Sequence, residues 1–190
     1  MENLKHIVKG CMRQEQACQR VLYERYRAFA CKIVFRYIYR YDKTNDIVTD
    51  GFIKAFKNFS KFILPQDEDI EKVLMAWLKR IMINTAIDDL RQNKMLPVIG
   101  GINEEVWDIS EKSNEADQQV LYKDLISMIK QLPGNYNTVF NLYVLDGYSH
   151  TQVAEMLGIS INNSRAILSR SRTMLQDKIK KMEEGNLCSI

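Results

Sequence analysis

The chain has 190 residues, 46% of them hydrophobic and 27% charged, enough to bury one modest core or two small ones. With only 8 Gly and 3 Pro, the composition favours helices over a turn-rich sandwich or barrel and predicts an all-α fold. The net charge of +3 is small but unevenly placed: residues 1–95 hold 18 Lys and Arg against 12 Asp and Glu, residues 96–120 hold 1 against 6, and residues 121–190 hold 8 against 6.

Two basic blocks therefore flank an acidic strip, which suits two domains facing a polyanion and a connector that avoids it. Cysteines stand at Cys11, Cys18, Cys31 and Cys188 without a CxxC pair, and only His6 and His150 are available to complete a metal site. They read as reduced thiols in a reducing compartment, with no metal and no cofactor. No apolar run approaches the ~18 residues of a membrane span, and the N-terminus lacks a signal-peptide layout. A cytoplasmic protein is expected.

In chain order, Gln14 to about Ile38 places Ala17, Val21, Leu22, Phe29, Ile33 and Val34 at helical steps. The alternating stretch Phe35 to Tyr41 has no partner strand and is read as a frayed helix end. Thr44, Asn45 and Asp46 offer N-caps for a second helix whose apolar face is Ile47, Val48, Phe52, Ala55, Phe56 and Phe59. Its other face holds Asp46, Asp50 and Lys54, with an Asp50 to Lys54 pair worth ~0.3 kcal/mol, which is ordinary surface chemistry. After the acidic loop around Pro65 to Asp69, a long helix turns Leu74, Trp77, Leu78, Ile81 and Thr85 inward. Lys79, Arg80, Asn84, Asp88 and Arg91 project from it, a mixture that fits either a solvated face or contacts to phosphates and base edges.

The segment 96–116 opens with proline and a Gly-Gly pair and reads as an acidic linker, with Val106, Trp107 and Ile109 able to dock. Beyond it, one helix ends at Pro133, a second closes at Gly147, and a third starts near His150. A turn at Gly158, Ile159 and Ser160 leads into a long final helix, which is a helix-turn-helix pattern. Ala154 is small enough for the helix crossing, and Val153, Leu157, Ile159, Ile167 and Leu168 supply a miniature core. Ser160 caps the final helix and leaves Ile161, Asn162, Asn163, Ser164 and Arg165 on its first turns, with Arg170 and Arg172 following. Asn suits adenine and Arg suits guanine in the major groove.

Taken together, DIVTDGFIKAF, AWLKRIMINTAIDDLRQ and VFNLYVLDGYSHTQVAEMLGIS followed by SRAILSRSRTMLQ resemble a bacterial RNA polymerase sigma factor of the extracytoplasmic-function group. The resemblance spans nearly the whole chain. It implies domain 2 over residues 1–95, a linker over 96–116, the helix-turn-helix domain 4 over 117–183 and a tail over 184–190. It implies that Asp46, Val48, Asp50, Phe52, Lys54 and Phe56 bind core RNA polymerase. Trp77, Lys79, Arg80, Asn84, Asp88 and Arg91 would engage the minus-10 element, with the loop around Pro65 to Asp69 holding a flipped base. Asn162, Asn163, Ser164, Arg165, Leu168, Arg170 and Arg172 would read the minus-35 element of promoter DNA. Departures from the group's common pattern at Asn163, Ser164 and Ile167 imply a distinct promoter preference. The linker would thread the polymerase channels, and the short stretch before Gln14 agrees with a group lacking the extra domains of housekeeping sigma factors. An anti-sigma factor partners many members, and no residue here encodes one.

A stand-alone DNA-binding regulator is the nearest rival and predicts tight duplex binding without polymerase. An enzyme would need a nucleophile, a metal cluster or a phosphate-cradling Gly loop, and the sequence shows none.

Overall fold

The computed structural model describes residues 4–65, 69–92 and 125–187, and within them every regular element is helical. The described residues form two units, one ending at Gln92 and one starting at residue 125. The expected linker 96–116, loop residues 66–68 and Cys188 lie outside the described residues.

The first unit begins with α1, Leu4–Met12, which sequence analysis did not anticipate. Ile7, Val8 and Cys11 are its buried stripe, too few inward positions for periodicity to register over the usual window of about 11 to 18 residues. Gln14, at φ 62°, turns the chain into α2, Gln16–Ile38, and its side-chain amide donates to the Phe56 carbonyl at 2.8 Å. Cys11 is buried against this turn, and burial first, then Cys18 and Glu15, pushes its thiol up to about 12, so it stays protonated.

The end of α2 is not frayed. Tyr39 adopts the left-handed conformation at φ 55° and returns its N–H to the Phe35 carbonyl at 3.0 Å, closing the helix. Phe35, Tyr37, Ile38 and Tyr39 are all buried, so the alternating pattern reflects aromatics packed around a sharp corner. Ala17, expected inside, is exposed near the start of the helix.

The next helix, α3, spans Tyr41–Lys57 and starts one turn earlier than its polar residues suggest. Only Tyr39 and Arg40 separate it from α2, so Thr44, Asn45 and Asp46 fall inside it and cap nothing. Thr44 instead donates to the Arg40 carbonyl at 2.7 Å. Ile47, Val48, Phe52 and Ala55 are buried as the spacing predicts, together with Phe59 in the 3-10 turn Phe59–Lys61. Phe56 is half-buried.

In α4, Ile70–Gln92, the buried set is broader than the predicted stripe. Leu74, Leu78 and Thr85 are inside, Trp77 and Ile81 are half-buried, and Met82, Ile83, Ala86 and Ile87 are buried as well, because α1, α2 and α3 all pack on this helix. A Cβ on Gly51 of α3 would meet Met82 Sδ at 2.5 Å, so this glycine sets how closely α3 and α4 approach. Ion pairs brace the helices: Arg25 with Glu71 at 2.9 Å, where the Tyr26 hydroxyl also donates, and Lys43 with Asp89 at 2.8 Å.

The second unit comprises α5 (125–130), α6 (Tyr136–Phe140) continued by a π turn Asn141–Leu145, α7 (His150–Leu157) and α8 (Ile161–Leu187). Gly147 at φ 76° and Gly158 at φ 65° make the turns before and after α7. Ile126, Ile129, Val139, Leu142, Val153 and Leu168 are buried, whereas Leu157, Ile159 and Ile167 are half-buried. The core is more polar than its apolar pattern suggests: Asn137, Asn141, Ser164 and Ser171 are buried too. The Ser171 hydroxyl lies 2.8 Å from the Ile167 carbonyl and 3.2 Å from that of Tyr136, tying α8 to α6.

Candidate nucleic-acid interface and docking surface

On α4, Arg80, Asn84, Asp88 and Arg91 recur at steps of four, four and three, which aligns them along one side of a helix with 3.6 residues per turn. All four are exposed. The stripe begins beside an aromatic cluster in which Trp77 meets Phe59 edge-on at 5.0 Å and Phe62 at 5.2 Å. Phe56 and Phe52 extend that cluster into α3. Trp77 is thus fixed by its neighbours and leaves only part of its surface available. Lys79 is half-buried.

The outward face of α3 carries Asp46, Asp50 and Lys54, all exposed. Lys54 does not pair with Asp50 as the spacing suggested. Its Nζ lies 3.3 Å from Asp88 Oδ2, joining this face to the α4 stripe. Val48 and Phe52, expected on the same docking surface, are buried in the core, because positions 48 and 52 fall on the inward side of the helix. Sequence reasoning also missed Ile53, which is 45% exposed among these charges. An exposed apolar side chain with a polar rim is an arrangement that a protein contact can use. Its signal was present: Ile53 falls outside the spacing of the buried set.

In the second unit, Ser149 and Gln152 form a reciprocal capping box at the start of α7, with hydrogen bonds of 3.3 and 2.9 Å. Ser160 Oγ accepts from the Asn163 N–H at 3.1 Å, which caps α8 and is worth ~1 kcal/mol. This cap leaves Asn162, Asn163 and Arg165 exposed on the first turns, with Arg170 and Arg172 exposed further along. Ser164 and Leu168, expected to face the groove, are buried instead. They lie on the side of α8 that crosses α7, where Ser164 Oγ is hydrogen-bonded to His150 Nδ1 at 3.0 Å. The His150 ring also stacks on Tyr143 at 4.2 Å. Desolvation, then Arg165 and Arg172, hold its pKa below the ordinary 6.5.

Residues 22–95 match the family model of Sigma-70 region 2, and residues 122–175 match that of Sigma-70, region 4. The sigma-E factor of Haemophilus influenzae, an extracytoplasmic-function sigma factor, is 25% identical over 186 residues, covering 93% of this chain and 95% of its own. The extracytoplasmic-function factor SigW of Bacillus subtilis is 22% identical over 198 residues, covering 94% and 98%. This chain belongs to the extracytoplasmic-function sigma factors.

As a sigma factor it works with RNA polymerase in promoter-specific initiation of transcription. Among solved structures, the sigma factor RpoE of Bartonella quintana, bound to the anti-sigma factor NepR, shares the fold with a TM-score of 0.51 and 19% identity. That match covers 85% of this sigma factor and 96% of the RpoE chain. Among the described residues no helix is long and apolar enough to cross a membrane, and no group of His, Cys, Asp and Glu is placed to hold a metal ion.

Proposed function

We propose that this sigma factor divides its work among the three exposed faces. The α3 face, with Asp46, Asp50, Lys54, Phe56 and the additional Ile53, docks on core polymerase. The α4 stripe, with Arg80, Asn84, Asp88 and Arg91 beside Trp77 and Lys79, engages the minus-10 element as the strands separate. The first turns of α8, with Asn162, Asn163, Arg165, Arg170 and Arg172, read the minus-35 element. The two units correspond to domains 2 and 4, acting in the cytoplasm without an enzymatic step. An anti-sigma partner, like that of the Bartonella quintana relative, is part of the same proposal.

One observation carries the reading. The capped start of α8 turns two asparagines and an arginine outward while Ser164 is locked to α7, which is how a recognition helix enters the major groove. Each basic surface alone binds DNA weakly, and polymerase holds them at a fixed separation so that the second contact forms at high effective concentration. Capturing unpaired bases offsets an unstacking cost of a few kcal/mol. Run-off transcription from genomic DNA, with core polymerase alone and with this chain added, tests the reading. New discrete start sites appear with the chain, and their absence overturns it.

A further inference from the structure

We infer that His150 takes up a proton when DNA docks on α8 and becomes a cationic contact to the phosphate backbone. The inference rests on reading the start of α8 as the DNA-facing surface, and it adds to that surface a residue from the neighbouring helix.

The geometry places the imidazole at the seam between the two helices. Nδ1 is bound to Ser164 Oγ at 3.0 Å, and Ser164 lies between Asn163 and Arg165, two of the exposed residues. Tyr143, from the π turn, stacks on the ring at 4.2 Å with an interplanar angle of 25°. Ser164 and Tyr143 together fix where the ring sits, and Nδ1 makes its one hydrogen bond among the described residues, leaving Nε2 to meet an incoming group. The charged groups acting on the ring are Arg165 and Arg172, both from α8; Tyr143 offers it an uncharged ring face. His150 is also the first residue of α7, whose positive end disfavours a cation.

Desolvation first, then the two arginines, together with the end of α7, favour the neutral ring in the free protein, and DNA reverses the charge effects. Phosphates drawn to Arg165 and Arg172 neutralise them and bring negative charge to the end of α7. The proton comes from solvent and goes to Nε2 or, with the Ser164 hydroxyl accepting instead of donating, to Nδ1. No bond other than N–H is made. A group whose pKa rises on binding makes binding tighter as pH falls through its bound value, and the gain is complete below its free value. Duplex affinity therefore increases from about pH 7.5 to about pH 6 more than the arginines alone allow.

The test is an NMR titration of the imidazole signals of the full chain, free and with excess mixed-sequence duplex of about 20 base pairs at low salt, where phosphate contacts dominate. The chain has 2 histidines, and His6→Gln identifies the His150 signal. The expected result is a rise of about one unit in the His150 pKa, equivalent to about tenfold tighter binding at acidic pH. His150→Asn, which keeps a hydrogen-bonding atom near the Nδ1 position but takes up no proton, loses that acid-side gain, so its affinity varies with pH only as far as the arginines allow. A His150 pKa unchanged or lowered by DNA, with Arg165→Ala still weakening binding, overturns this inference and leaves the surface reading intact. Binding that Arg165→Ala does not weaken overturns both.

Discussion

Lys54 of α3 and Asp88 of α4 form an ion pair of 3.3 Å between the helix assigned to polymerase docking and the helix assigned to the minus-10 element. Each side chain is about half exposed, so solvent screens the pair and its contribution to stability is at most ~0.5 kcal/mol. On the proposed reading its consequence is functional: the partners of one bond would face two different macromolecules. Asp88→Ala leaves the urea midpoint of the first unit nearly unchanged and lowers transcription in a run-off assay. A large shift in the midpoint would show the pair to be structural.

Within α3, the structure separates residues that the sequence pattern grouped together. Phe52 is buried and Phe52→Ala costs about 3 to 5 kcal/mol, enough to unfold much of the first unit. Asp50 and Ile53 are exposed, so Asp50→Ala and Ile53→Ser leave the far-ultraviolet dichroism and melting temperature close to wild type. Both weaken association with core polymerase in a pull-down titration. Unchanged affinity in both variants would remove the α3 face from the interface.

The aromatic cluster predicts a graded series at position 77. Trp77→Ala removes the ring held by Phe59 and Phe62 and destabilises the unit by roughly 2 to 3 kcal/mol, less than for a fully buried Trp. Trp77→Phe retains most of the packing. Chemical denaturation orders the three proteins, and permanganate footprinting on promoter DNA reports whether strand opening falls in the same order.

In the absence of DNA, His150 makes the second unit sensitive to acid. Its folded pKa lies below 6.5 because burial and the neighbouring arginines disfavour the cation. The unfolded chain therefore binds more protons in the window below 6.5. The stabilising contribution is fully present above that value and is lost as pH falls through the folded pKa. Protection of the α8 amides, taken as the exchange rate relative to the intrinsic rate at each pH, falls across this window in the wild type, and His150→Asn flattens the dependence.

Arg165→Ala, at an exposed position on the capped first turns, weakens minus-35 binding by roughly 1 to 3 kcal/mol if the guanidinium reads a base edge. Competition between matched and single-base-substituted promoters in a polymerase-bound gel-shift assay measures it. Loss confined to one base position marks a base contact, and uniform loss marks a phosphate contact.

Much of this architecture was legible in the residues. The apolar spacing of α3, the turn at Gly158 and the Ser160 cap are local features, and each stands where its pattern places it. Less legible were features set by partners distant in sequence. The breadth of the α4 core depends on α1, α2 and α3 arriving on different sides, and Lys54 chose Asp88 over Asp50 because α4 brought it within reach. Ser164 illustrates the limit for the site: its position on the first turn of a recognition helix suggests DNA, but the crossing of α7 turns it toward His150. Polarity marked the surface residues, and only packing showed which polar residues were inside.

Equilibrium titration of the fluorescently labelled full chain against core RNA polymerase, and separately against promoter duplex, is the most direct test. The account predicts saturable, tight association with the core, and promoter-selective binding only once that complex has formed. A chain that ignored the core enzyme and gripped intact promoter duplex tightly by itself would contradict it.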